Sequence, residues 1–378
     1  MNILLMFPFL SSNPRRAREV FAKTIVESLS DDNNLIYAGI PSDDIFHITK
    51  KYNIKMVYDD FDIIKKGKLA LFFYSVHFLL KNKVDIIFER ASMNPIGLFL
   101  SIMFGIKYLT DAHIVCAAEV PLVRKYRNFY RLMDSLRFFK SRLIFASYQS
   151  QLDSIPIVLK KEYQNTVIIG PYVNHEKFFP SSITESKALI KVKRDYVCYA
   201  GSFDEEHKPE LLISAFNLIA KEYPQVDLML LGSGNTLKQL KKQVQYMNLS
   251  KRVIFKMRVS NDLVPSYLSG SLFCVNPTVT LRNRIIGMVG DKSIEYASCG
   301  KPQLLPNLRG IAEELSKVKG AIRVGSTLNP ENLAKGMRFL LENRLIRLEM
   351  GRRSREKIEK DWNINSYKEQ LINSISKI

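Results

Sequence analysis

The sequence has few of the residues that build disulfide frameworks or metal centres. Its 378 residues include four cysteines and five histidines. The cysteines stand singly in apolar surroundings, and none forms a Cys-x-x-Cys pair; they are Cys116, Cys198, Cys274 and Cys299. We therefore expect neither a disulfide scaffold nor a metal site, and a reducing compartment is the natural setting.

Long apolar runs are also missing. The longest uncharged apolar stretch, residues 69–80, is shorter than the roughly 20 residues that a membrane-spanning helix needs. The N-terminal run over residues 1–7 has no basic lead and no small-residue cleavage site, so it predicts a first β-strand and not a signal peptide. We expect a cytoplasmic protein, with peripheral contact at the inner membrane face left open.

Acidic residues are too few to balance the basic ones. Aspartate and glutamate number 37 against 56 lysines and arginines, which gives a net charge of +19. Such an excess favours anionic partners: nucleic acid, phosphorylated ligands or an acidic membrane. Because the charge is spread over both halves and no nucleic-acid-binding motif is present, we expect no nucleic acid partner.

Short apolar runs alternate with segments of helical periodicity along most of the chain, and the pattern starts again near residue 195. This alternation predicts an α/β fold with parallel sheets covered on both faces. The polar stretch 174–194 has little periodicity and is interpreted as a linker. We predict two doubly wound domains facing across a cleft, 1–178 and 179–360, with a C-terminal helix in 361–378 packing back on the first. Ligands of such sheets bind beyond the carboxyl ends of the strands.

One candidate binding segment is a predicted strand that ends at Gly201 and is followed by Lys208. A glycine at a strand end lets the backbone approach a ligand closely, and a lysine nearby can contact a phosphate. Taken alone, this segment is explained more simply by a turn glycine beside a surface lysine.

A second candidate segment is the helix predicted to begin after Asp291, within residues 287–302. Asp291 can cap this helix, whose first amides favour a diphosphate. Glu295 lies one turn further on, where a carboxylate can accept two ribose hydroxyls. The alternative is an ordinary amphipathic helix with a solvated glutamate.

These two segments, the Gly232-Ser233-Gly234 loop between them and the hinge Pro171-Tyr172-Val173-Asn174 with Phe178-Phe179-Pro180 resemble the family 4 glycosyltransferases of the GT-B fold. The resemblance is good over about residues 165–365. It implies two Rossmann-like domains and a retaining, metal-independent transfer of a sugar from a nucleotide donor, without a further cofactor.

The resemblance also implies roles for individual residues. Lys208 would contact the donor diphosphate, beside the loop of Gly201 and Ser202, and Glu295 would hold the ribose. His113 matches the family's histidine near the transferred sugar, although a structural strand-end histidine is an open alternative. The remaining predicted contacts are those of the base pocket, Arg258 and Val259, and the phosphate-binding amides, Val289, Gly290, Asp291 and Lys292.

The sequence departs from the family pattern at several positions. Ser202 stands where an arginine is usual, so one phosphate cation is missing, for which Arg282, Arg284 or Lys292 are possible substitutes. Gly287 replaces a glutamate that contacts the donor sugar, and Pro209 follows Lys208 where glycine is common. Residues 9–14 replace the Gly-Gly loop after the first strand.

Residues 122–142 combine aromatic and basic side chains at helical spacing. The predicted apolar face contains Leu122, Tyr126, Phe129, Met133 and Leu136, and seven basic residues accompany one acid, Asp134. Contact with an anionic membrane and a core helix with solvated charges both fit this pattern. For residues 65–80, which are apolar nearly all round, we predict a core helix.

The sequence thus predicts a transferase that uses a UDP-sugar and a glycan or polyprenyl-linked acceptor in surface polysaccharide synthesis. Two alternatives stay open: a non-catalytic partner that stabilises an active transferase, and a sugar-nucleotide 2-epimerase.

Overall fold

A computed structural model describes residues 1–7, 16–39, 43–57, 68–90, 95–112, 127–153, 165–257, 259–279, 283, 292–325 and 329–378. They form two compact units, Met1–Gly170 with Tyr367–Ile378, and Pro171–Ser366. Each unit holds a parallel sheet with helices, which confirms the predicted α/β class with two Rossmann-like domains. The domain boundaries predicted from the sequence, between residues 178 and 179 and between residues 360 and 361, stay predictions.

The first unit alternates strands and helices from its N-terminus. The strands are β1 (Asn2–Phe7), β2 (Asn34–Gly39), β3 (Lys55–Met56), β4 (Ile86–Arg90), β5 (Lys107–Asp111), β6 (Leu143–Ala146) and β7 (Thr166–Ile168). The helices are α1 (Arg16–Leu29), α2 (Asp43–Lys51), α3 (Lys68–Lys81), α4 (Ile96–Phe104), α5 (Arg127–Lys140) and α6 (Gln149–Asp153). All strand pairs are parallel, in the order β3-β2-β1-β4-β5-β6-β7.

The second unit repeats this construction. Its strands are β8 (Asp195–Ala200), β9 (Val226–Leu231), β10 (Val253–Lys256), β11 (Cys274–Val275), β12 (Gln303–Pro306) and β13 (Ala321–Val324). Its helices are α7 (Ile183–Leu189), α8 (Pro209–Ile219), α9 (Leu237–Tyr246), α10 (Val264–Ser269), α11 (Lys292–Ser298), α12 (Ile311–Lys317), α13 (Pro330–Glu342) and α14 (Arg344–Asp361). The last helix, α15 (Ile364–Ile375), ends in the first unit.

The strand order of the second sheet is β10-β9-β8-β11-β12-β13, again all parallel. The order reverses between β8 and β11, because the chain first moves outward from β8 to β9 and β10 and then returns to the other side. Ligands of doubly wound sheets bind beyond the carboxyl ends of the strands at such a reversal. Residues after Ala200 and Val275 therefore lie where a ligand is expected.

The linker predicted over residues 174–194 is wrong in part, because the structure has helix α7 there. Ser182 accepts a hydrogen bond from the Glu185 amide at 3.1 Å, which caps the helix. The buried Ile190 then packs with Tyr196 and Leu268 in the core of the second unit. The helix is too short for its periodicity to be noticed, but the Ser-x-x-Glu spacing was a usable signal.

The apolar faces of two helices differ from those predicted. In α3 the sequence predicts a core helix, yet Leu69 and Leu80 are 70% and 71% exposed. In α5 the buried residues are Asp134, Ser135, Arg137 and Phe138, whereas Phe129, Leu132 and Phe139 are exposed. Asp134 and Arg137 are buried as a pair, with Oδ1 of Asp134 accepting from Nη1 of Arg137 at 3.0 Å. The face of α5 that is buried thus contains an ion pair, and it is not the face that the hydrophobicity pattern predicts.

Candidate nucleotide-binding site

Two loops at the carboxyl end of the second sheet are joined by backbone hydrogen bonds. The Gly201 amide donates to Leu231 O at 2.8 Å, and the Phe203 amide donates to Ser233 O at 3.0 Å. A Cβ on Gly232, whose φ is +141°, would lie 1.8 Å from Gly201 O. A Cβ on Gly234 would lie 2.0 Å from the carbonyl oxygen of Phe203. Both glycines are therefore required for the close packing of these loops.

The side chain of Lys292, at the start of α11, lies directly over Gly201. A Cβ built on Gly201 would lie 1.9 Å from Lys292 Nζ. The same Nζ lies 5.0 Å from the ring centroid of Tyr199 and donates to the Tyr199 hydroxyl at 3.3 Å. The structure thus brings the ammonium group of Lys292 to the glycine predicted to approach the diphosphate.

Tyr296 fixes α11 to the end of β8. Its buried hydroxyl donates to Ala200 O at 3.0 Å and accepts from the Ala200 amide at 2.8 Å. Ala200 directly precedes Gly201, and Tyr296 directly follows Glu295. The two segments that carry the predicted site residues are therefore held together by a pair of hydrogen bonds across 96 positions of the chain.

The first turn of α11 is also fixed to β11 and β12. Asn276 donates to Ser293 Oγ at 3.0 Å, and Gln303 donates through Nε2 to Ser293 O at 2.8 Å. All three residues are buried. These polar contacts fix the position of α11 above the sheet. They were not predicted from the sequence, because the residues that they join become neighbours only through the order of the strands.

The loop that leads to Lys208 is organised by Asp204. Its Oδ1 accepts from the amides of Glu206 and His207 at 3.1 and 2.9 Å, and it lies 2.6 Å from His207 Nδ1. Burial alone would raise the pKa of Asp204, but the hydrogen bonds of His207 hold it below its usual value. Lys208 follows in the left-handed conformation, with φ of 51°, and caps α8 through its backbone. Asp204 and His207 are not among the residues predicted from the sequence, although their spacing is that of an Asx turn.

Glu295 lies half-buried one turn into α11, as predicted, and Ser202 is exposed beside Gly201. Val259 is half-buried after β10 and packs against the core of the second unit. The structure therefore brings Gly201, Ser202, Val259, Lys292 and Glu295 to the carboxyl edge of one sheet. The other predicted site residues fall outside the described residues; they are His113, Arg258, Val289, Gly290 and Asp291.

Lys301, close to the predicted motif, has a structural environment. It is 7% exposed and donates to Ser269 O at 2.5 Å and to Ser271 O at 2.9 Å. Burial lowers its pKa. These bonds satisfy carbonyl groups at the end of α10 that have no helical partner.

The first unit has a buried carboxylate, Glu89, near the end of β4. It accepts from the Gly97 amide at 2.8 Å and from the Tyr108 hydroxyl, and Arg137 Nε lies 3.8 Å away. Burial raises the pKa of Glu89, against the opposing effect of the Arg137 charge. At the ends of β4 and β5, Arg90 Nε lies 3.8 Å from Asp111 Oδ2. This network fixes the strand ends that precede the segment containing His113.

In the described part of the chain, no group of three or more His, Cys, Asp or Glu side chains is placed to hold a metal ion. None of the described helices combines the length and apolar character needed to cross a bilayer.

Residues 181–357 match the family model of glycosyl transferases group 1. The matched residues lie within the second unit and make up less than half of the chain.

Two curated relatives are similar over part of their length. An uncharacterized glycosyltransferase of Haemophilus influenzae is 25% identical over 191 residues, covering 48% of this chain and 52% of that protein. The D-inositol 3-phosphate glycosyltransferase of Paenarthrobacter aurescens is 22% identical over 271 residues, covering 68% and 64%. The aligned parts thus span between about half and two thirds of these relatives.

Among solved structures, HepE of Anabaena in complex with UDP superposes with a TM-score of 0.79 over 100% of both chains, at 16% identity. The same protein has also been solved with UDP-glucose. At this identity the similarity shows a shared fold, that of the GT-B glycosyltransferases.

Proposed function

We propose that the chain is a retaining glycosyltransferase that moves a hexosyl group from a UDP-sugar to a glycan or polyprenyl-linked acceptor in surface polysaccharide synthesis. The observation that carries the proposal is the position of Lys292 Nζ over Gly201, at the strand-order reversal of the second sheet. The family match of residues 181–357 and the UDP and UDP-glucose complexes of the similar HepE fold support it.

The proposed chemistry requires little covalent assistance from the protein. When the bond between the sugar C1 and the diphosphate oxygen breaks, the electron pair and the negative charge pass to the β-phosphate. Cations positioned in advance stabilise such charge most effectively, because they do not reorganise during the reaction. Lys208 and Lys292 supply these cations, Glu295 binds the ribose, and no cofactor beyond the nucleotide sugar is required. The phosphate-binding amides at Val289–Asp291 and the role of His113 stay predictions.

The position of Lys292 bears on the alternative of a non-catalytic partner subunit. That alternative rests largely on Ser202, which stands where the family has a phosphate-binding arginine. Since the Lys292 ammonium lies at the adjacent Gly201, the loop still has a cation at this place. This favours an active transferase.

Nucleotide binding and turnover test the proposal together. Thermal shift with UDP, GDP and ADP should show the largest stabilisation with UDP, since a ligand bound to the folded state raises its stability. We expect Lys208→Ala and Glu295→Ala each to lower turnover at least tenfold, or about 1.4 kcal/mol of transition-state stabilisation. Lys221→Ala, an exposed lysine of the same unit, should behave as wild type.

Three results would contradict parts of the proposal. Absence of binding to all three nucleotides would remove the transferase assignment. Wild-type turnover in both variants would remove the site assignment. Proton NMR of the first product reports the anomeric configuration, and an inverted product would remove the retaining mechanism.

We further propose that the first unit contacts an anionic membrane, where a polyprenyl-linked acceptor is anchored. Helices α3, α4 and α5 each connect strands in the same direction across the sheet, so right-handed crossovers put them on one face. They carry many exposed large apolar side chains: Leu69, Phe73, Tyr74, Leu80, Phe99, Ile102, Met103, Phe129, Leu132 and Phe139. We call this set the apolar face of the first unit.

The charges on these helices suit an anionic surface. Asp134 is the single acid within the three helices, and it is buried against Arg137. Arg131 and Lys140 on α5, and Arg142 just after it, are exposed. Apolar side chains beside unopposed basic ones are the combination that binds the headgroup region of anionic lipid.

Liposome flotation tests this contact. We expect binding to vesicles that contain anionic lipid and little binding to neutral vesicles. Ile102→Glu with Met103→Glu should abolish flotation, because both side chains are more than half exposed and a carboxylate opposes insertion. The control is Tyr246→Glu, at a site 87% exposed in the second unit. Failure of the wild-type protein to float with anionic vesicles would contradict the membrane contact alone.

A further inference from the structure

The loop between Gly201 and Lys208 contains a histidine–aspartate pair that the proposed mechanism does not yet use. His207 Nδ1 lies 2.6 Å from Asp204 Oδ1, and the His207 amide donates to the same oxygen at 2.9 Å. The side chain of His207 is 25% exposed and that of Asp204 is 33% exposed. The imidazole is therefore held in one orientation at the surface of the candidate site.

The orientation of the ring fixes which nitrogen carries the proton in the neutral form. Because Asp204 accepts a hydrogen bond at Nδ1, the neutral ring is protonated there and has a lone pair at Nε2. Within the described residues, Nε2 makes no hydrogen bond. On this tautomer, Nε2 becomes a donor only when the ring takes up a second proton.

The charged groups near His207 have opposite effects on the protonation of its ring. Asp204 and Glu206 favour the protonated ring, whereas the ammonium group of Lys292 disfavours it. Burial, followed by the charge of Lys292, leaves the pKa of His207 below its usual value. The same Lys292 lies over Gly201, the place proposed for the diphosphate, and its charge acts on the imidazole of His207.

We propose that His207 is a proton-dependent ligand of the donor diphosphate: the imidazolium donates from Nε2 to a phosphate oxygen, and Asp204 holds the ring for this contact. The imidazolium of His207 and the ammonium group of Lys292 repel each other, whereas a bound anion is attracted to both. The imidazolium then supplies a cation to the loop in which Ser202 stands where an arginine is usual. This inference rests on the proposed nucleotide-diphosphate substrate and deepens it.

Binding of the diphosphate through the imidazolium of His207 should weaken as pH rises. A ligand that favours the protonated ring raises the pKa of His207 in the complex, and the affinity for the ligand then falls as pH rises through that raised pKa. UDP itself is fully ionised above about pH 7, since its terminal phosphate titrates near 6. Ionisation of UDP strengthens binding as pH rises, so a loss of affinity with rising pH reports the protein.

The direct experiment is a proton NMR titration of the histidine ring resonances with UDP and with uridine. We expect the pKa of His207 to rise by about one unit with saturating UDP and to stay unchanged with uridine, which lacks the diphosphate. His47 and His77, in the first unit, are internal controls that should not move. The resonance of His207 is the one missing from His207→Gln.

Affinity measurements on two variants supply a second test. As pH rises from the pKa of free His207 to its pKa in the complex, wild-type UDP affinity should fall relative to that of His207→Arg, by about tenfold in total for each unit of raised pKa. We expect His207→Gln to bind weakly at every pH, and His207→Arg, with a permanent positive charge, to show no loss of affinity as pH rises.

The outcomes separate a failure of the His207 inference from a failure of the proposed function. If UDP binds but the pKa of His207 does not change, the role of His207 is wrong and the proposed function stands. If UDP, GDP and ADP all fail to bind, both proposals fall.

Discussion

Gly201 and Gly232 both lie directly after strands of the second sheet, yet the structure gives them different tasks. A side chain on Gly232 would meet the backbone oxygen of Gly201 at 1.8 Å, and its φ of +141° disfavours any other residue. A side chain on Gly201 would meet the mobile end of Lys292, at 1.9 Å from Nζ, and the Tyr199 hydroxyl at 2.7 Å. Gly232 allows the two loops to pack closely, and Gly201 leaves room for the ammonium group of Lys292.

This difference predicts separate effects of two alanine substitutions. Gly201→Ala should displace Lys292 and weaken UDP binding about tenfold or more, while stability falls by no more than about 1 kcal/mol because a flexible side chain can move. Gly232→Ala should lower the free energy of unfolding by more than about 2 kcal/mol, from strain and backbone contact. Urea denaturation and UDP titration measure the two quantities. Equal losses of stability in the two variants would contradict this assignment.

At the scale of elements, α11 is positioned by polar contacts on two sides. Tyr296 joins it to the end of β8, and Ser293 joins it to Asn276 and Gln303 on the neighbouring strands. Since Lys292 and Glu295 belong to this helix, their places relative to Gly201 depend on these contacts. The arrangement of the candidate site thus depends on the contacts that position α11 and not on α11 alone.

We expect Tyr296→Phe to lower stability by about 1–3 kcal/mol, because a backbone carbonyl and amide of Ala200 lose their partner. UDP affinity should also fall, since α11 and the Gly201 loop are no longer joined. The matched control is Tyr196→Phe at the other end of β8, where a buried tyrosine hydroxyl donates to Tyr267 O at 2.8 Å. The control should lose similar stability and keep its affinity for UDP. A loss of UDP affinity in both variants would show that the effect is one of stability only.

At the scale of the whole molecule, the chain returns to its first unit after completing the second. Residues 367–378 belong to the first unit, where Tyr367, Leu371 and Ile375 are buried. Lys368 Nζ lies 3.7 Å from Glu27 Oε2, and Lys107 donates to Ile378 O at 2.9 Å. The first unit is therefore assembled from both ends of the sequence.

A chain that ends at Ser366 should accordingly be damaged in the first unit. Burial of three large side chains contributes about 1.5–3 kcal/mol each, a large part of the stability of a domain. Limited proteolysis with mass spectrometry should show new cleavage within residues 1–170 and an unchanged pattern in 171–366. Lys368→Ala, which removes only a half-exposed ion pair, should change stability by less than about 1 kcal/mol. Cleavage confined to the second unit would contradict the assignment of the C-terminal residues.

The alternation of strands and helices was predictable because each element is marked locally by its apolar period and its turn residues. The helix beginning at Lys292 and the strand ending at Gly201 were found in this way. The buried face of α5 was not, because it is decided by the pairing of Arg137 with Asp134 and by its contact with Glu89. A hydrophobicity pattern ranks both of these charged residues as solvent-exposed.

The sequence by itself determined the α/β class, the parallel sheets and the segments that carry Lys208, Lys292 and Glu295, since periodicity and glycine positions are local properties of a chain. Only the tertiary structure decided that Lys292 lies over Gly201 and that the Tyr296 hydroxyl meets Ala200. These contacts join residues more than 90 positions apart. They exist because β11 returns to pair beside β8, and strand order is set by the packing of the whole unit, which no local pattern encodes.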